Sequence, residues 1–402
     1  MPPTPHTTPD GQPIGTFALT SRIVAIAFFT FICYLAIGLP LAVLPGYVHG
    51  QLGYGSVLAG LAISVQYVAT LLSRSHAGRM ADTVGPKQTV VIGMAACAAS
   101  GVFLLLAYAF ERSAWLSLGA IIVSRLALGF GESWVGTGSA TWAIARVGPL
   151  HTARVISWNG ICTYGGLALG APLGVYLETE WSMGALGGAV LLLGLAGLGL
   201  ALARAAVAIV GGHRMAFKSV VLRVFPHGMA LGLELGRLRH AGGLRGAVLR
   251  QFLVGARRTR SAFGCAFIGV RLLFAGTITR FGGFKVAQVS FLVEAAGLAL
   301  LWLAPTAALV GAALTGCGFA LVFPAIGVEA VARVPAGSRG AALGAYSAFL
   351  DLALGATGPV AGYISGGFGY PAIFLAAAMS VLLGFLIAFG LQRHASRAQT
   401  AA

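Results

Sequence analysis

The sequence of 402 residues has very few charged side chains: 9% are Asp, Glu, Lys or Arg, and only ten of these are acidic. Soluble globular domains carry roughly 25% charged residues. This composition therefore cannot build a surface that faces water, which excludes an ordinary soluble protein. Hydrophobic residues make up 58% of the chain, and its mean hydropathy is +0.89. The composition predicts a protein that crosses a membrane several times.

The motifs of several other functional classes are also missing. The five cysteines form no CxxC pair, so we expect packing thiols instead of a disulfide or metal framework. No HExxH, Walker A or GxSxG motif occurs, and the eight histidines are scattered. The net charge of +16 does not indicate nucleic-acid binding, because cytoplasmic loops of membrane proteins are rich in Lys and Arg. We predict no enzyme, no metal, no cofactor and no nucleic-acid partner.

Eleven apolar runs are long enough to cross the hydrocarbon core, which needs about 20 helical residues. They cover approximately residues 23–48, 56–73, 89–108, 115–135, 155–177, 183–203, 261–279, 286–303, 306–328, 341–364 and 371–391. With the amino terminus inside, most of the 26 Lys and Arg residues, including Arg74 and Arg271, fall in inner loops, whereas the outer loops hold Arg112. This alternation requires one more span between residues 223 and 261. The sequence predicts twelve transmembrane helices with both termini cytoplasmic.

The segment that should hold the seventh span lacks the composition of a membrane helix. Residues 234–260 include arginine at positions 237, 239, 245, 250, 257, 258 and 260. Each arginine at a helix centre costs roughly 2.5 to 3.5 kcal/mol on insertion. A basic loop or a surface helix here would invert every later span, which the later charges contradict. Our preferred hypothesis is a frameshifted stretch of a GC-rich reading frame.

The two halves of the chain resemble each other. The sequence LALGA occurs at 167–171 and again at 352–356, an offset of 185, and residues 74–85 correspond to 271–282 at an offset of 197. Such repeats are typical of transporters with two related halves. We predict an all-α membrane protein with two pseudo-symmetric six-helix bundles, the seventh span being disrupted. The predicted parts are a disordered cytoplasmic tail at 1–22, bundles at 23–203 and 229–391, a cytoplasmic central loop at 204–228 and a cytoplasmic tail at 392–402.

The loop after the second span carries the most specific motif. It reads GRMADTVGPK from Gly78 to Lys87, similar to the GxxxDxxGR(K)(K) signature of the major facilitator superfamily, which the chain resembles over essentially its full length. Gly78 and Gly85 permit a tight turn and a close helix approach, and Asp82 can face the positive end of a helix. The resemblance implies that Gly78, Asp82, Gly85 and Lys87 form a latch of the cytoplasmic gate. The second copy has Thr279 in place of the acid.

Two further patterns resemble the same family. Arg125, Gly129 and Glu132 share one face of the fourth span and are similar to its RxxxGxG signature. Glycine–proline patterns in the fifth and eleventh spans are similar to the bends of family exporters; they comprise Gly170, Pro172, Gly174, Gly358, Pro359 and Gly362. GFGES, SWNG and LALGAPLG together resemble the YfcJ/YhhS-like bacterial inner-membrane branch, which implies an efflux-type permease.

Polar side chains inside the predicted spans are candidates for proton and substrate binding, because such groups are costly in lipid. They are Arg125, Glu132, Asp351, Asn159, Gln66, Tyr34 and Tyr346. Glu132 and Asp351 could bind and release a proton as access alternates. The alternatives are a fixed ion pair between Arg125 and Glu132, and a hydrogen bond from Asp351 across its bundle.

These features predict a secondary active transporter, specifically a proton-coupled exporter that moves a small molecule across the bacterial inner membrane by alternating access. Its expected partners are the substrate, protons and membrane lipid, and we expect a monomer. The alternatives are a non-transporting membrane sensor, a product inactivated by a frameshift near 234–260, and a membrane enzyme.

Overall fold

The computed structural model describes residues 15–209, 215–235, 248–369 and 371–400. These residues are almost wholly helical, and twelve helices among them have 19 residues or more. They are α1 (Thr16–Leu41), α2 (Ser56–Thr83), α3 (Pro86–Ala109), α4 (Ala114–Val147), α5 (Thr152–Glu180), α6 (Met183–Ala203), α7 (Phe217–Leu235), α8 (Val248–Phe281), α9 (Gly283–Leu303), α10 (Ala308–Ala332), α11 (Arg339–Phe368) and α12 (Pro371–Thr400). Short helical turns at residues 44–51 continue α1.

Within the described ranges, eight helices are long and apolar enough to cross a membrane: α1, α3, α4, α5, α6, α9, α10 and α12. Large apolar side chains on their outer surfaces are exposed, for example Leu192 at 68%, Leu303 at 68% and Met379 at 63%. Apolar surface of this kind is stable when lipid covers it. These features are those of a multi-pass all-α membrane protein, and the count of twelve spans remains a prediction.

Several helices extend beyond the apolar runs of the sequence. α1 begins at Thr16, inside the predicted tail 1–22, of which residues 1–14 lie outside the described part. α2 continues to Thr83, ten residues past the end of its apolar run, and α12 continues to Thr400 through the predicted tail 392–402. Hydropathy marks the part of a helix that contacts lipid, whereas backbone hydrogen bonding continues into water.

The middle of the chain differs most from the sequence prediction. α7 begins at Phe217, within the predicted loop 204–228, and α8 begins at Val248, within the arginine-rich segment 234–260. Residues 236–247 lie outside the described part of the chain. The arginine-rich segment therefore includes helical backbone, and its origin in a frameshift remains a hypothesis.

The chain divides into two compact units. The first comprises Met1–Val220 with Pro335–Ala345, and the second comprises Val221–Val334 with Tyr346–Ala402. In the first unit, α1 packs against α4, α5 and α6, α3 packs against α4 and α6, and α2 packs against α4. In the second unit, α10 packs against α8 and α9, and α9 packs against α12. The first turns of α11 thus belong to one unit and the rest of α11 belongs to the other.

Glycines bring helices of the first unit into direct backbone contact. A β-carbon added at Gly131 on α4 would lie 2.9 Å from the carbonyl oxygen of Gly93 on α3, and one at Gly170 on α5 would lie 2.8 Å from Cα of Gly38 on α1. A side chain at either place would force the helices apart. Close approach through small residues is the usual way in which helices associate in lipid, and it accounts for part of the high count of 59 glycines.

Candidate functional site

The first unit contains a buried carboxylate that three side chains bind. Glu132 on α4 is 4% exposed. Its Oε1 accepts a hydrogen bond from Tyr34 Oη on α1 at 3.0 Å, and its Oε2 accepts one from Gln66 Nε2 on α2 at 2.8 Å. Thr70 Oγ1, also on α2, lies 3.1 Å from Oε2. Three helices therefore converge on one acidic group, and such groups in membrane interiors mark functional sites by default.

Close packing of α2 on α4 creates this site. A β-carbon at Gly129 would collide with the carbonyl oxygen of Gln66 and would lie 2.9 Å from Cβ of Ala69. Gln66 and Thr70 are one turn apart and therefore share the face of α2 that meets α4. Both are fully buried. The missing side chain at Gly129 is what lets the amide and the hydroxyl reach Glu132 away from water.

Two other predicted site residues lie in the same unit. Thr30 Oγ1 on α1 donates a hydrogen bond to Asn159 Oδ1 on α5 at 2.6 Å, one turn before Tyr34 on α1. Arg125 on α4 is fully buried, seven residues before Glu132. The described contacts therefore join Tyr34, Gln66 and Glu132 directly, and Asn159 is joined to the neighbouring turn of α1.

The remaining two candidates belong to the second unit. Tyr346 Oη donates a hydrogen bond to the carbonyl oxygen of Phe323 at 3.0 Å, and the centroids of the two rings are 5.1 Å apart. Asp351 is 4% exposed on α11. Both of these contacts of Tyr346 are with Phe323, and substrate binding by Tyr346 or proton binding by Asp351 remains a prediction.

The loop motif gives a structural role to each of its glycines and to its lysine. A β-carbon at Gly78 would lie 2.7 Å from Cα of Ala341, so only glycine lets α2 pass α11 this closely. Gly85 joins α2 to α3 with φ of 116°, a conformation that favours glycine. Lys87 Nζ donates to the carbonyl oxygen of Leu202 at 3.0 Å, near the carboxyl end of α6, where a cation is favourable.

Asp82 caps the amino terminus of α11. Its Oδ1 accepts a hydrogen bond from the backbone N–H of Gly340 at 2.8 Å, and its Oδ2 accepts one from Ala341 N–H at 2.8 Å. The first N–H groups of a helix have no partner within it, and the helix dipole favours a negative charge there. All three residues lie in the first unit. The carboxylate therefore ties the end of α2 to the start of α11.

Comparison with known proteins decides the family. The model of the Major Facilitator Superfamily matches residues 26–233. An MFS-type transporter of Burkholderia mallei strain SAVP1 is 56% identical over 396 residues, which covers 96% of each chain. Another, from Pseudomonas aeruginosa strain UCBPP-PA14, is 50% identical over 401 residues, 97% of this chain and 98% of the relative.

This chain belongs to the major facilitator superfamily. Proteins of this superfamily are transporters and not enzymes, which confirms the family and the exclusion of an enzyme that the sequence predicted. The transporter is therefore a multi-pass membrane protein, and members of the superfamily bind small-molecule substrates.

Solved transporters share its fold. The human organic anion transporter MFSD10 (TETRAN) matches with a TM-score of 0.73 and 18% identity, over 92% of this chain and 99% of that chain. An outward-facing bacterial homologue of the iron transporter ferroportin matches with a TM-score of 0.75 and 12% identity, over 92% of this chain and 98% of that chain. The proton:xylose symporter XylE matches with a TM-score of 0.72 and 14% identity, over 92% of this chain and 96% of that chain. At these identities the likeness extends to the fold alone.

Two arginines of the transporter that the sequence places in inner loops are buried inside helices. Arg74 on α2 is 5% exposed, and Arg271 on α8 is 2% exposed. Arg271 Nε donates to the carbonyl oxygen of Ala320 at 2.8 Å, and its guanidinium carbon lies 4.5 Å from the centre of the Phe267 ring. The loop placement was wrong because hydropathy treats every arginine as solvated, whereas carbonyl oxygens and ring faces can satisfy a buried one.

The glycines of the predicted bend in α5 pack against α1. A β-carbon at Gly170 would lie 2.7 Å from the carbonyl oxygen of Leu35, and one at Gly174 would collide with that of Leu39. Pro172 lies inside α5, and Gly358, Pro359 and Gly362 lie inside α11. Close packing thus explains Gly170 and Gly174 directly, and bending of both helices during transport remains a prediction.

Sequence reasoning missed Thr70 and Thr30. Their signal was spacing alone: Thr70 follows Gln66 by four residues, and Thr30 precedes Tyr34 by four. Residues four apart are neighbours on a helix surface. A threonine in an apolar helix more often bonds to its own helix backbone, so the spacing alone could not distinguish these two.

Proposed function

We propose that this transporter is a proton-coupled exporter, which moves a small molecule across the bacterial inner membrane by alternating access. Family membership supports transport. The observation that carries proton coupling is the buried Glu132 carboxylate, which accepts hydrogen bonds from Tyr34 and Gln66 and lies within bonding distance of Thr70. We propose protons, the substrate and lipid as partners, cytoplasmic termini and a monomeric state.

Protonation of Glu132 must change how three helices meet. An ionised carboxylate only accepts hydrogen bonds, whereas a protonated one must also donate. The donors from α1 and α2 are arranged for the ionised form. When the carboxyl group takes up a proton, at least one of these contacts has to rearrange. Protonation is therefore linked to the packing of α4 against α1 and α2, and a conformational equilibrium responds when one state binds the proton better.

The Asp82 cap supports a latch in the same cycle. α11 begins in the first unit and continues in the second. A movement of one unit relative to the other would pull the first turns of α11 away from Asp82 or strain α11 itself. We propose that the hydrogen bonds of Asp82 with Gly340 and Ala341 break and form again in each cycle. The cap is then the cytoplasmic latch that the family signature implies.

Proton flux in inside-out membrane vesicles tests the proposal. Vesicles with an imposed pH gradient, acidic inside, are loaded with acridine orange, and a panel of cationic, anionic and neutral amphipathic compounds is added. We expect at least one compound to release protons from vesicles that contain the wild-type protein. Glu132→Gln should abolish that release, because the amide keeps the shape of the side chain and cannot carry the proton. Asp351→Asn tests the second candidate in the same way.

The control is Tyr176→Phe, which changes an exposed hydroxyl on α5 and should keep the flux. Transport that continues unchanged in Glu132→Gln would contradict proton coupling at this site. A compound that binds without any proton flux would favour the sensor. The coding DNA around residues 234–260 tests the remaining alternative: an apolar run in another frame supports a frameshift, and its absence contradicts one.

A further inference from the structure

One helix of the first unit binds both the buried acid and the start of α11. Gln66, Thr70, Arg74, Gly78 and Asp82 follow one another along α2 at intervals of four residues. Residues at this interval are neighbours on the helix surface. The first two approach Glu132, and the last two contact the beginning of α11. α2 is therefore a direct mechanical connection between the Glu132 site and the Asp82 cap.

Arg74 occupies the middle of this connection. A β-carbon at Gly136 on α4 would lie 3.6 Å from Arg74 Nη1, and one at Gly344 on α11 would lie 2.7 Å from the Arg74 carbonyl oxygen. At this level α2 is thus in contact with α4 through the arginine side chain and with α11 through its backbone. A shift of α2 along α4 must therefore also change the contact between α2 and α11, because the backbones of Arg74 and Gly344 are already in close contact.

Thr70 is a residue of this connection whose hydrogen bond to Glu132 can reverse, because a hydroxyl both donates and accepts. Its Oγ1 lies 3.1 Å from Glu132 Oε2, 3.1 Å from the carbonyl oxygen of Gly129 and 3.0 Å from that of Gln66. A hydroxyl has one hydrogen to donate and two lone pairs that accept. One hydrogen therefore faces three acceptors, and the Glu132 carboxylate is the one among them that can itself take up a proton.

We propose that Thr70 is a positioning residue that transmits the protonation state of Glu132 to the contact between α2 and α11. This inference rests on the proposed role of Glu132 as the proton-binding group. With Glu132 ionised, Thr70 donates to Oε2. With Glu132 protonated, its O–H donates to Thr70 Oγ1, and the hydrogen of Thr70 turns to the carbonyl oxygen of Gly129 or Gln66. The number of protons on Thr70 is the same in both states.

The exchange changes the hydrogen bonds between α2 and α4 at this point. The bond between Glu132 and Thr70 reverses its direction, and the hydrogen of Thr70 becomes available to the carbonyl oxygen of Gly129 on α4 or of Gln66 on α2, which lie 3.1 Å and 3.0 Å from Oγ1. Asp82 lies twelve residues after Thr70, about 18 Å further along α2. Because α2 is continuous over Ser56–Thr83, a change in its position against α4 is carried to the Asp82 cap.

Other titratable or charged groups surround Glu132, and the test has to separate them from Thr70. Tyr34 and Cys33 on α1 interact with Glu132. Cys97 on α3 and Arg74 on α2 lie against neighbouring glycines of α4, Gly131 and Gly136, and Arg125 lies on α4 itself. Cys33 Sγ and Cys97 Sγ are 3.6 Å apart and both thiols are buried. Asp82 can also titrate, and its protonation would weaken the cap without any part for Thr70.

Hydrogen exchange at the cap measures the transmission directly. Deuterium uptake by the amides of Gly340 and Ala341 is followed by mass spectrometry on the full-length protein in nanodiscs across a pH series, after correction for the intrinsic exchange rate. Infrared absorption of the protonated carboxyl group, assigned by its loss in Glu132→Gln, gives the titration of Glu132 in the same sample. We expect the two titrations to share a midpoint in the wild type.

The decisive variant is Thr70→Val, which keeps the branched shape and removes the hydroxyl. In the wild type, deuterium uptake at Gly340 and Ala341 should change in one step as the pH passes the midpoint of the Glu132 titration. In Thr70→Val we expect this step to disappear, while the infrared titration of Glu132 persists. Thr70→Ser should restore the step, because it restores the hydroxyl. Thr315→Val on α10 is the matched control: its hydroxyl bonds only to the Gly311 carbonyl oxygen of its own helix among the described contacts, at 2.8 Å, and the step should persist.

Two results would overturn the inference. If deuterium uptake in Thr70→Val shows the same pH-dependent step as in the wild type, the hydroxyl does not transmit the protonation state of Glu132. A step that persists in Glu132→Gln would mean that Asp82 or another group titrates instead. Neither result decides whether the protein exports a substrate against protons, which the vesicle experiment measures. Conversely, the wild-type protein could show no proton-coupled flux in vesicles and still show the pH-dependent step in deuterium uptake. That result would reject the proposed function and retain the role of Thr70.

Discussion

The strongest prediction concerns the Asp82 cap and its replacement by asparagine. Two backbone N–H groups, of Gly340 and Ala341, donate to the carboxylate, each at 2.8 Å. Asparagine keeps one carbonyl oxygen for Gly340 and places an amide NH₂ group against the N–H of Ala341. One hydrogen bond to a charged group is therefore lost, worth about 1.5 to 3 kcal/mol, and the favourable charge at the helix terminus is lost as well, worth about 0.3 to 1 kcal/mol.

Because Asp82 is only half-buried, we expect a loss near the lower end, about 2 kcal/mol. At about 1.4 kcal/mol for each factor of ten, deuterium uptake at Gly340 and Ala341 should become roughly 30 times faster in Asp82→Asn. The assay is hydrogen exchange read by mass spectrometry on the peptide that begins α11. Thr83→Val is the control, because the Thr83 hydroxyl bonds to the Arg79 carbonyl oxygen within α2.

Unchanged uptake in Asp82→Asn would refute the cap as the group that holds the start of α11. Uptake that rises equally in Thr83→Val would show that the end of α2 is sensitive to any substitution. Only a rise confined to the Asp82 variant agrees with hydrogen bonds from the carboxylate to these two amides.

Two glycine substitutions test the helix contacts, each with a control on the same helix. Gly78→Ala should lower the thermal unfolding temperature, because its β-carbon would lie 2.7 Å from Cα of Ala341, whereas Gly60→Ala meets nothing within 4 Å and should be neutral or stabilising. Gly170→Ala should lower it as well, because its β-carbon would lie 2.7 Å from the Leu35 carbonyl oxygen, whereas the nearest atom to one at Gly165 is 3.9 Å away. An overpacked site costs about 1 to 3 kcal/mol; equal melting temperatures within either pair would contradict the packing.

Composition and apolar runs were enough to predict the class of fold. Low charge excludes a soluble surface, and the helices found by hydropathy are present in the structure. The ends of the helices could not be obtained in this way. α2 continues past Arg74 to Thr83, because its backbone hydrogen bonds do not depend on whether side chains meet lipid or water. Arg74 and Arg271 were placed in loops because hydropathy treats every arginine as solvated, whereas both are buried in the structure.

The site could be predicted in part. A glutamate inside an apolar helix is costly, so Glu132 was identifiable from its position in the fourth apolar run, and the loop around Asp82 was identifiable from the spacing of its motif. Its partners depend on tertiary packing. Gln66 and Tyr34 could be predicted as candidates because they are polar side chains inside apolar runs, whereas Thr70 resembles many packing residues of membrane helices. Which oxygen accepts its hydrogen follows from the approach of α2 to Gly129, and no sequence pattern encodes that distance.

Proton release on substrate binding tests the central claim most directly. The purified protein is placed in weakly buffered solution, a compound identified in the vesicle assay is added, and the pH change and the bound compound are measured together. The account predicts that each bound molecule displaces a proton from wild-type protein and none from Glu132→Gln. Binding without proton release in the wild type, or equal release in Glu132→Gln, would contradict proton-coupled export through this carboxylate.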